Sequence, residues 1–220
     1  MTLADLIAQF RAEAFDTETP YFFSDAQITG WLNEAQEEAA IRGRLLHESA
    51  DDDVCQIAVT AGTSSYDLHA SVLEITYARW QKDGSEDWVR LDLQTRTYLD
   101  KNRPNWRTTE EQPVDMVQDD TTITLGCLPE TDGTLRIECY RLPLVEMSDD
   151  ADSPELMAVH HRQLVHWALH RAFSIPDSET EDEKRSNASE IRFTRYFGPR
   201  PDADLKRSTQ HDTPHHNALW

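Results

Sequence analysis

A pair of capped amphipathic helices at each end of the chain is the feature that most constrains its fold. Thr2 with Asp5 forms an N-cap pattern, and Ser24 with Gln27 forms a second one. The sequence therefore predicts two one-sided helices within residues 2–48. Apolar residues recur at helical spacing after both caps, at Leu3, Leu6, Ile7, Phe10 and Ala14, and at Ile28, Trp31, Leu32, Ala35, Ala39 and Leu46.

A second helix pair is predicted within residues 153–197. Ser153-Pro154-Glu155 places a cap, a first-position proline and an acid at a helix start. Ser178 with Glu181 predicts the cap of the next helix, which Gly198 ends. The apolar side of the first of these helices is predicted to consist of Leu156, Val159, Leu164, Trp167, Ala168, Phe173 and Ile175.

Between the helix pairs, alternation of apolar and polar residues predicts short strands, and Asp83-Gly84 predicts a hairpin turn. The predicted strands cover residues 54–59, 65–68, 72–80, 88–93, 113–118, 121–125 and 135–141, with a short helix at 95–101. We therefore predict an α+β fold. Its parts are a four-helix bundle from residues 1–50 and 153–198, an inserted small antiparallel β-sheet or sandwich with an acidic linker in 51–152, and an extended C-terminal arm in 199–220.

The charge of the chain bears on its partners. Its 220 residues carry 41 acids and 21 bases, a formal net charge of −20. Because nucleic-acid affinity depends on basic groups that replace counterions, we expect no tight or sequence-specific DNA binding. The residues Met1–Asp5 lack a signal-peptide pattern, and apolar runs are short, so we expect cytoplasmic synthesis and no membrane partner.

The sequence lacks the usual patterns of a catalytic or cofactor site, such as a Gly-rich phosphate loop. Cys55, Cys127 and Cys139 are widely spaced, which predicts buried reduced thiols. His166 and His170 lie four residues apart, but no Glu follows the first as in His-Glu-x-x-His. We predict no catalytic residue, no metal and no cofactor. The alternatives are a metal-dependent enzyme that uses His161, His166 and His170, and weak metal binding by the tail residues His211, His215 and His216.

Two groups of aromatic residues allow more than one interpretation. We expect Tyr21, Phe22, Phe23 and Trp31 to lie in the core, because large apolar side chains are usually buried. Trp220 is either an interface anchor, a role in which Trp is frequent, or part of a loose chain end.

Several segments together resemble tailed-bacteriophage head-to-tail connector (adaptor) proteins. The most specific is Ser24-Asp-x-x-Ile-x-x-Trp-Leu-Asn-Glu-Ala35, which is similar to the second helix of such adaptors. The resemblance covers about residues 3–200 and consists of packing and capping positions. Its other segments are Tyr21-Phe-Phe23, Tyr66-Asp-Leu68, Tyr140-Arg-Leu-Pro143, Leu164–Phe173 and Phe197-Gly-Pro199.

The resemblance implies a structural virion protein in the neck of a phage, assembled in the host cytoplasm. Such adaptors form a ring under the portal, here expected to be dodecameric, and DNA passes through its channel. The implied partners are the portal protein, tail or nozzle proteins and further copies of this chain. The alternative is another virion component, such as a tail-completion or tail-tube protein.

Two sets of site residues follow from the resemblance and from the charge. The arm is expected to bind the portal or a neighbouring subunit. Acids on the polar side of the second helix are expected to line the channel, where they repel DNA. The acidic linker Glu146–Asp152 has no assigned role. The proposed arm residues are Pro199, Arg200, Leu205, Leu219 and Trp220, and the proposed channel acids are Glu34, Glu37 and Glu38.

Overall fold

The structure is a computed structural model that describes residues 1–176 and 180–201. Over these residues the chain is mixed α+β, as predicted, with six helices and three sheets. The helices are α1 Leu3–Ala14, α2 Asp25–Gly43, α3 Asp52–Cys55, α4 Arg96–Asn102, α5 His161–Phe173 and α6 Glu183–Phe197. The strands are β1 His47–Glu48, β2 Gln56–Val59, β3 Ser65–Asp67, β4 Val72–Lys82, β5 Trp88–Arg90, β6 Asp92–Leu93, β7 Glu110–Glu111, β8 Asp115–Gln118, β9 Thr122–Leu125, β10 Leu128–Pro129 and β11 Gly133–Arg141.

The chain divides into two compact units. The helical unit consists of Met1–Leu46 and Leu142–Arg200, and the β-rich unit spans His47–Arg141. The acidic segment 146–152 therefore lies in the helical unit, whereas the sequence had placed it with the β insertion.

Both predicted capping boxes of the first helix pair are confirmed. The Thr2 side chain accepts from the Asp5 backbone N–H, and the Asp5 side chain accepts from the Thr2 backbone N–H. Ser24 and Gln27 make the same reciprocal pair at the start of α2. These bonds satisfy N–H groups that a helix start leaves without partners.

The predicted start of α5 at Ser153 is wrong, because the helix begins at His161. The segment before His161 instead forms backbone hydrogen bonds with another part of the helical unit. The carbonyls of Asp152 and Asp150 accept from the N–H groups of Leu3 and Ala4 at the start of α1. Val159, predicted to be apolar core, is 62% exposed.

The start of α6 also differs from the prediction. Asp182 is its N-cap, and the Asp182 side chain accepts from the Arg185 backbone N–H. The predicted cap Ser178 lies outside the described residues. Gly198, with φ of 94°, ends the helix as predicted, because glycine tolerates positive φ without a steric penalty.

One apolar core holds the helical unit together. Helix α5 packs against α1, α2 and α6, and α1 also contacts α2. Phe23 contacts both Trp31 and Phe173 edge-to-face, with ring centroids 5.5 and 6.4 Å away. Burying a large apolar side chain contributes about 1.5–3 kcal/mol, so each of these rings matters to the fold. The largest fully buried side chains of this unit include Leu3, Leu6, Phe10, Ile28, Leu32 and Phe193.

The β-rich unit is built around the long strand β11. It pairs antiparallel with β1, β2 and β4, and β5 extends this sheet beyond β4. Every second β11 residue is buried, which is the pattern of a sheet with one core face. A second sheet has the order β3-β9-β8-β6, and β7 pairs with β10.

Three strand predictions in this unit need correction. Residues 54–55 belong to α3, so β2 begins only at Gln56. The predicted strand 88–93 is two strands in different sheets, β5 and β6, separated by the buried Leu91. The β6–β8 and β7–β10 pairs are parallel, so the sheets are not purely antiparallel.

The predicted hairpin at Gly84 is confirmed, with φ of 76°.

The three cysteines are free and buried, as predicted. Burial raises the pKa of the Cys127 thiol to about 11 and that of the Cys139 thiol to about 12. Such thiols stay protonated near neutral pH and react poorly with oxidants. Among the described residues, no helix combines the length and apolar character needed to cross a membrane.

Candidate assembly surfaces

The three proposed channel acids lie in α2 but in different surroundings. Glu37 is exposed. Partial loss of hydration raises its pKa, and the nearby carboxylates of Glu146, Glu34 and Glu38 raise it further. Glu34 is half-buried and makes a 3.1 Å ion pair with Arg171. The negative charge of this face is therefore concentrated around Glu37.

Glu38 does not lie on the polar face as predicted, because its side chain is only 9% exposed. Its Oε2 atom accepts from Nε of Arg42 at 2.9 Å, and Oε1 lies 3.5 Å from Nη1 of Arg200. The guanidinium of Arg42 also lies over the rings of Trp167 and Phe193, 5.0 and 5.2 Å from their centroids. Glu38 thus belongs to a packed ion-pair group in which its charge is compensated.

The first residues of the proposed arm are described and the rest are not. Pro199 and Arg200 are exposed, and the Arg200 contact with Glu38 attaches this point of the chain to α2. The proposed anchors Leu205, Leu219 and Trp220 lie outside the described residues.

Two of the three histidines of the metalloenzyme alternative, His161 and His170, have separate hydrogen-bond partners, whereas the buried Nδ1 atom of His166 has none among the described residues. Nε2 of His161 bonds to the Leu156 carbonyl at 2.8 Å. His170 bonds through Nδ1 to the Ser186 hydroxyl at 3.0 Å. Burial lowers the pKa of His166, which favours its neutral form. Within residues 1–176 and 180–201, no three His, Cys, Asp or Glu side chains are grouped as metal ligands.

The loop between α1 and α2 is organised by a buried arginine that sequence patterns did not reveal. Nη1 of Arg11 donates to Asp16 at 2.8 Å, and Nη2 donates to Asp25 at 2.6 Å and to the Phe23 carbonyl at 3.0 Å. Asp16 also accepts from the backbone N–H groups of Phe22 and Phe23. Charge-assisted bonds of this kind fix the path of the loop.

This loop presents aromatic side chains to solvent, which corrects part of the core prediction. Phe23 is buried and Trp31 packs against the core, but Tyr21 and Phe22 are 45% and 64% exposed. Phe15, which the sequence did not single out, is 82% exposed and has φ of 62° at the end of α1. A cluster of exposed aromatic rings is typical of a protein-binding surface.

These exposed aromatic and charged side chains are typical of a protein that binds other proteins through its surface. A family model described as SU10 adaptor protein matches residues 1–216. The chain therefore belongs to this family of bacteriophage head-to-tail adaptors, which confirms the resemblance noted in the sequence. The family consists of structural phage adaptors and is not a known enzyme family. None of the curated proteins matches the chain.

Proposed function

We propose that the protein forms a homo-oligomeric ring beneath the portal and links the capsid to the tail, with DNA passing through the ring. The observation that carries this proposal is the family match over residues 1–216, which takes in both units and most of the arm. Twelve copies fit the portal symmetry that the family resemblance implies. The protein then resides in the virion neck after assembly in the host cytoplasm.

Within this ring, α1, α2, α5 and α6 act as a four-helix bundle that packs beside its neighbours. The β-rich unit supplies a second surface for the portal or for tail proteins. This division of roles is supported by the separate apolar cores of the two units, each of which retains its own shape while its surface binds a partner.

We assign the channel lining to the α2 face around Glu37 and Glu34. Glu37 is exposed, and its charge adds to the repulsion that keeps DNA from adhering, while the charge of the half-buried Glu34 is offset in part by its ion pair with Arg171. Glu38 has no part in this lining, since its carboxylate is buried and paired. Glu37→Lys rings should retard DNA in a gel-shift assay at low salt, whereas unmodified rings should not. Glu37 on the outer rim of an assembled ring would overturn the assignment.

The arm, residues 199–220, binds the portal or a neighbouring subunit in this proposal. Its attachment to α2 through Arg200 sets the point from which it departs. A chain truncated from Pro201 onward should keep the circular dichroism spectrum and melting temperature of the full chain, yet lose attachment to the portal. Normal attachment of the truncated chain would show that the arm is dispensable.

Electron microscopy of the full chain mixed with its portal tests the function directly. The expected result is a ring on one face of the portal, with a central channel wide enough for duplex DNA. The matched control is the portal alone, imaged under the same conditions. A ring that binds only isolated tail components would instead favour a tail-completion role.

A further inference from the structure

The helical unit carries an aromatic end, formed by Phe15, Tyr21 and Phe22. A cavity of about 250 Å³ opens beside Phe15 and Phe22. Its lining residues include Phe173, Arg185 and the acids Asp16, Glu181 and Asp182. The Arg185 guanidinium lies 3.8 Å from the centroid of Phe173 and 5.4 Å from that of Phe15. The exposed rings of Phe15 and Phe22 at its rim can pack against apolar side chains, whereas the acids of its lining favour a basic group of a partner.

The backbone at Phe15 indicates that this aromatic ring serves a contact outside the isolated protomer. Phe15 follows α1 with φ of 62°, in the left-handed region where glycine and asparagine are favoured. Its side chain is 82% exposed, so it adds little to the core of its own unit. Both the backbone strain and the exposed apolar surface are unfavourable for the isolated protomer. Burial of the Phe15 ring in an interface would remove the unfavourable exposure of its apolar surface.

The other end of the same unit, here called the basic end, exposes Met157, Val159 and Tyr196, which are 72%, 62% and 44% exposed. His160 connects them, since its Nδ1 atom lies 3.2 Å from the Tyr196 hydroxyl. Met157 and Val159 directly precede α5 and Tyr196 lies in the last turn of α6, so His160 places these exposed apolar residues at the same end of the unit.

The two ends lie at opposite ends of the α5–α6 pair. Ser186, near the start of α6, contacts His170 near the end of α5, whereas Tyr196 contacts His160 before the start of α5. The helices are therefore antiparallel. Helix α5 has 13 residues and spans about 20 Å at 1.5 Å per residue, which separates the two ends by a similar distance.

The charges of the two ends are complementary. Arg162 and Arg195 are exposed at the basic end and make no ion pair with any residue in the described ranges. The aromatic end instead carries several acids. Asp16, Glu181 and Asp182 line its cavity beside Arg185, Glu18 is exposed in the loop between Phe15 and Tyr21, and the exposed Glu183 begins α6. In a chain of net charge −20, unpaired arginines favour an acidic partner surface, and further copies of this chain supply one.

We propose that the aromatic end of one copy binds the basic end of the next. Met157 and Val159 of one copy pack against the exposed rings of Phe15 and Phe22 of its neighbour. Arg162 and Arg195 then face the acids that line the neighbour's cavity. The contact joins two different surfaces, so it is heterologous, and repeated copies close into a ring when the rotation between them permits. This inference rests on the proposed ring and names the residues that hold it together.

Disulfide cross-linking between two cysteine variants tests the contact. Phe22→Cys chains are mixed with Val159→Cys chains under ring-forming conditions, with the portal present, and then mildly oxidised. The expected product is a mixed disulfide dimer of one chain of each kind. The native cysteines are buried with raised thiol pKa values, so they should not compete.

Ala188→Cys is the matched control, because Ala188 is exposed in the middle of α6. It should give little mixed dimer with Phe22→Cys. Equal yield from this control, or disulfides between two Phe22→Cys chains, would overturn the proposed contact. Rings that form without the Phe22–Val159 bond would overturn this contact alone. Failure of the unmodified chain to form rings, with or without portal, would overturn the proposed function as well.

Phe15→Asn separates a role in assembly from a role in folding. Asparagine tolerates the left-handed backbone at this position, so the melting temperature should stay equal or rise. Association between copies should weaken about tenfold or more, as for removal of an interface hot spot. Unchanged association in sedimentation experiments would contradict the assigned role of Phe15.

Discussion

Glu48→Gln is expected to destabilise the β-rich unit in a pH-dependent way. Oε1 of Glu48 accepts from the backbone N–H groups of Ser49, Ala50 and Asp51, at 3.0, 3.0 and 3.2 Å. Nε and Nη2 of Arg141 both donate to Oε2 at 3.1 Å. This ion pair joins β1, where the chain begins the unit, to the last residue of β11, where it leaves.

The bonds from the backbone N–H groups, that of Ala50 first, and from Arg141 lower the pKa of Glu48 from 4.5 to about 2. A lowered pKa stabilises the folded state above the unfolded pKa, and this contribution disappears as the pH falls from about 4.5 to about 2. At about 1.4 kcal/mol per pKa unit, the shift corresponds to at most about 3.5 kcal/mol at pH 7. Solvent at the margin of the unit screens the pair, which reduces the expected effect to about 1–2 kcal/mol.

Urea unfolding followed by circular dichroism at several pH values measures this effect. The difference in unfolding free energy between the unmodified chain and Glu48→Gln should be largest near pH 7 and vanish near pH 2. Gln preserves the size of the side chain, so the difference reports the charge. An equal difference at both pH values would show that packing, not ionisation, accounts for it and would refute the reasoning.

Three further substitutions probe the fold. Arg11→Met leaves the buried Asp16 carboxylate without its cation and should cost about 3–5 kcal/mol in denaturant unfolding, with Arg11→Lys recovering only part. Gly133→Ala places a Cβ atom in steric overlap with the Gln81 carbonyl oxygen, so β11 and β4 must separate and the melting temperature should fall. Gly30→Ala meets no atom within 4 Å and should stabilise α2 by about 0.5–1 kcal/mol; a loss of stability there would contradict this account.

The sequence correctly predicted the structural elements that depend on residues close together in the chain. The capping boxes at Thr2 and Ser24 each involve residues three positions apart, so adjacent sequence was sufficient. The turn at Gly84 depends on a backbone conformation that glycine favours. Prediction was wrong at Ser153, where a good local helix start is overridden by backbone bonds to the distant start of α1.

In the candidate sites too, the sequence predicted what depends on neighbouring residues and missed what depends on contacts with remote ones. The sequence identified the acids of α2, but burial of Glu38 depends on Arg42 and on Arg200, which is remote in the chain. It likewise grouped Tyr21, Phe22 and Phe23 as core, although only Phe23 turns inward. Periodicity does not distinguish neighbouring aromatics in an irregular loop, where no regular repeat sets the direction of each side chain.

The sequence by itself determined the α+β class, the helix pairs at its two ends and the membership of an adaptor family, because periodicity, caps and family patterns are written in the order of residues. Only the tertiary structure decided which of those residues meet solvent. The Arg11 ion pairs fix the loop on which Tyr21 and Phe22 are exposed, and the antiparallel α5–α6 pair separates this aromatic end from the basic end. Long-range packing sets these positions, since the interacting groups lie far apart in the chain and no local pattern encodes their contact.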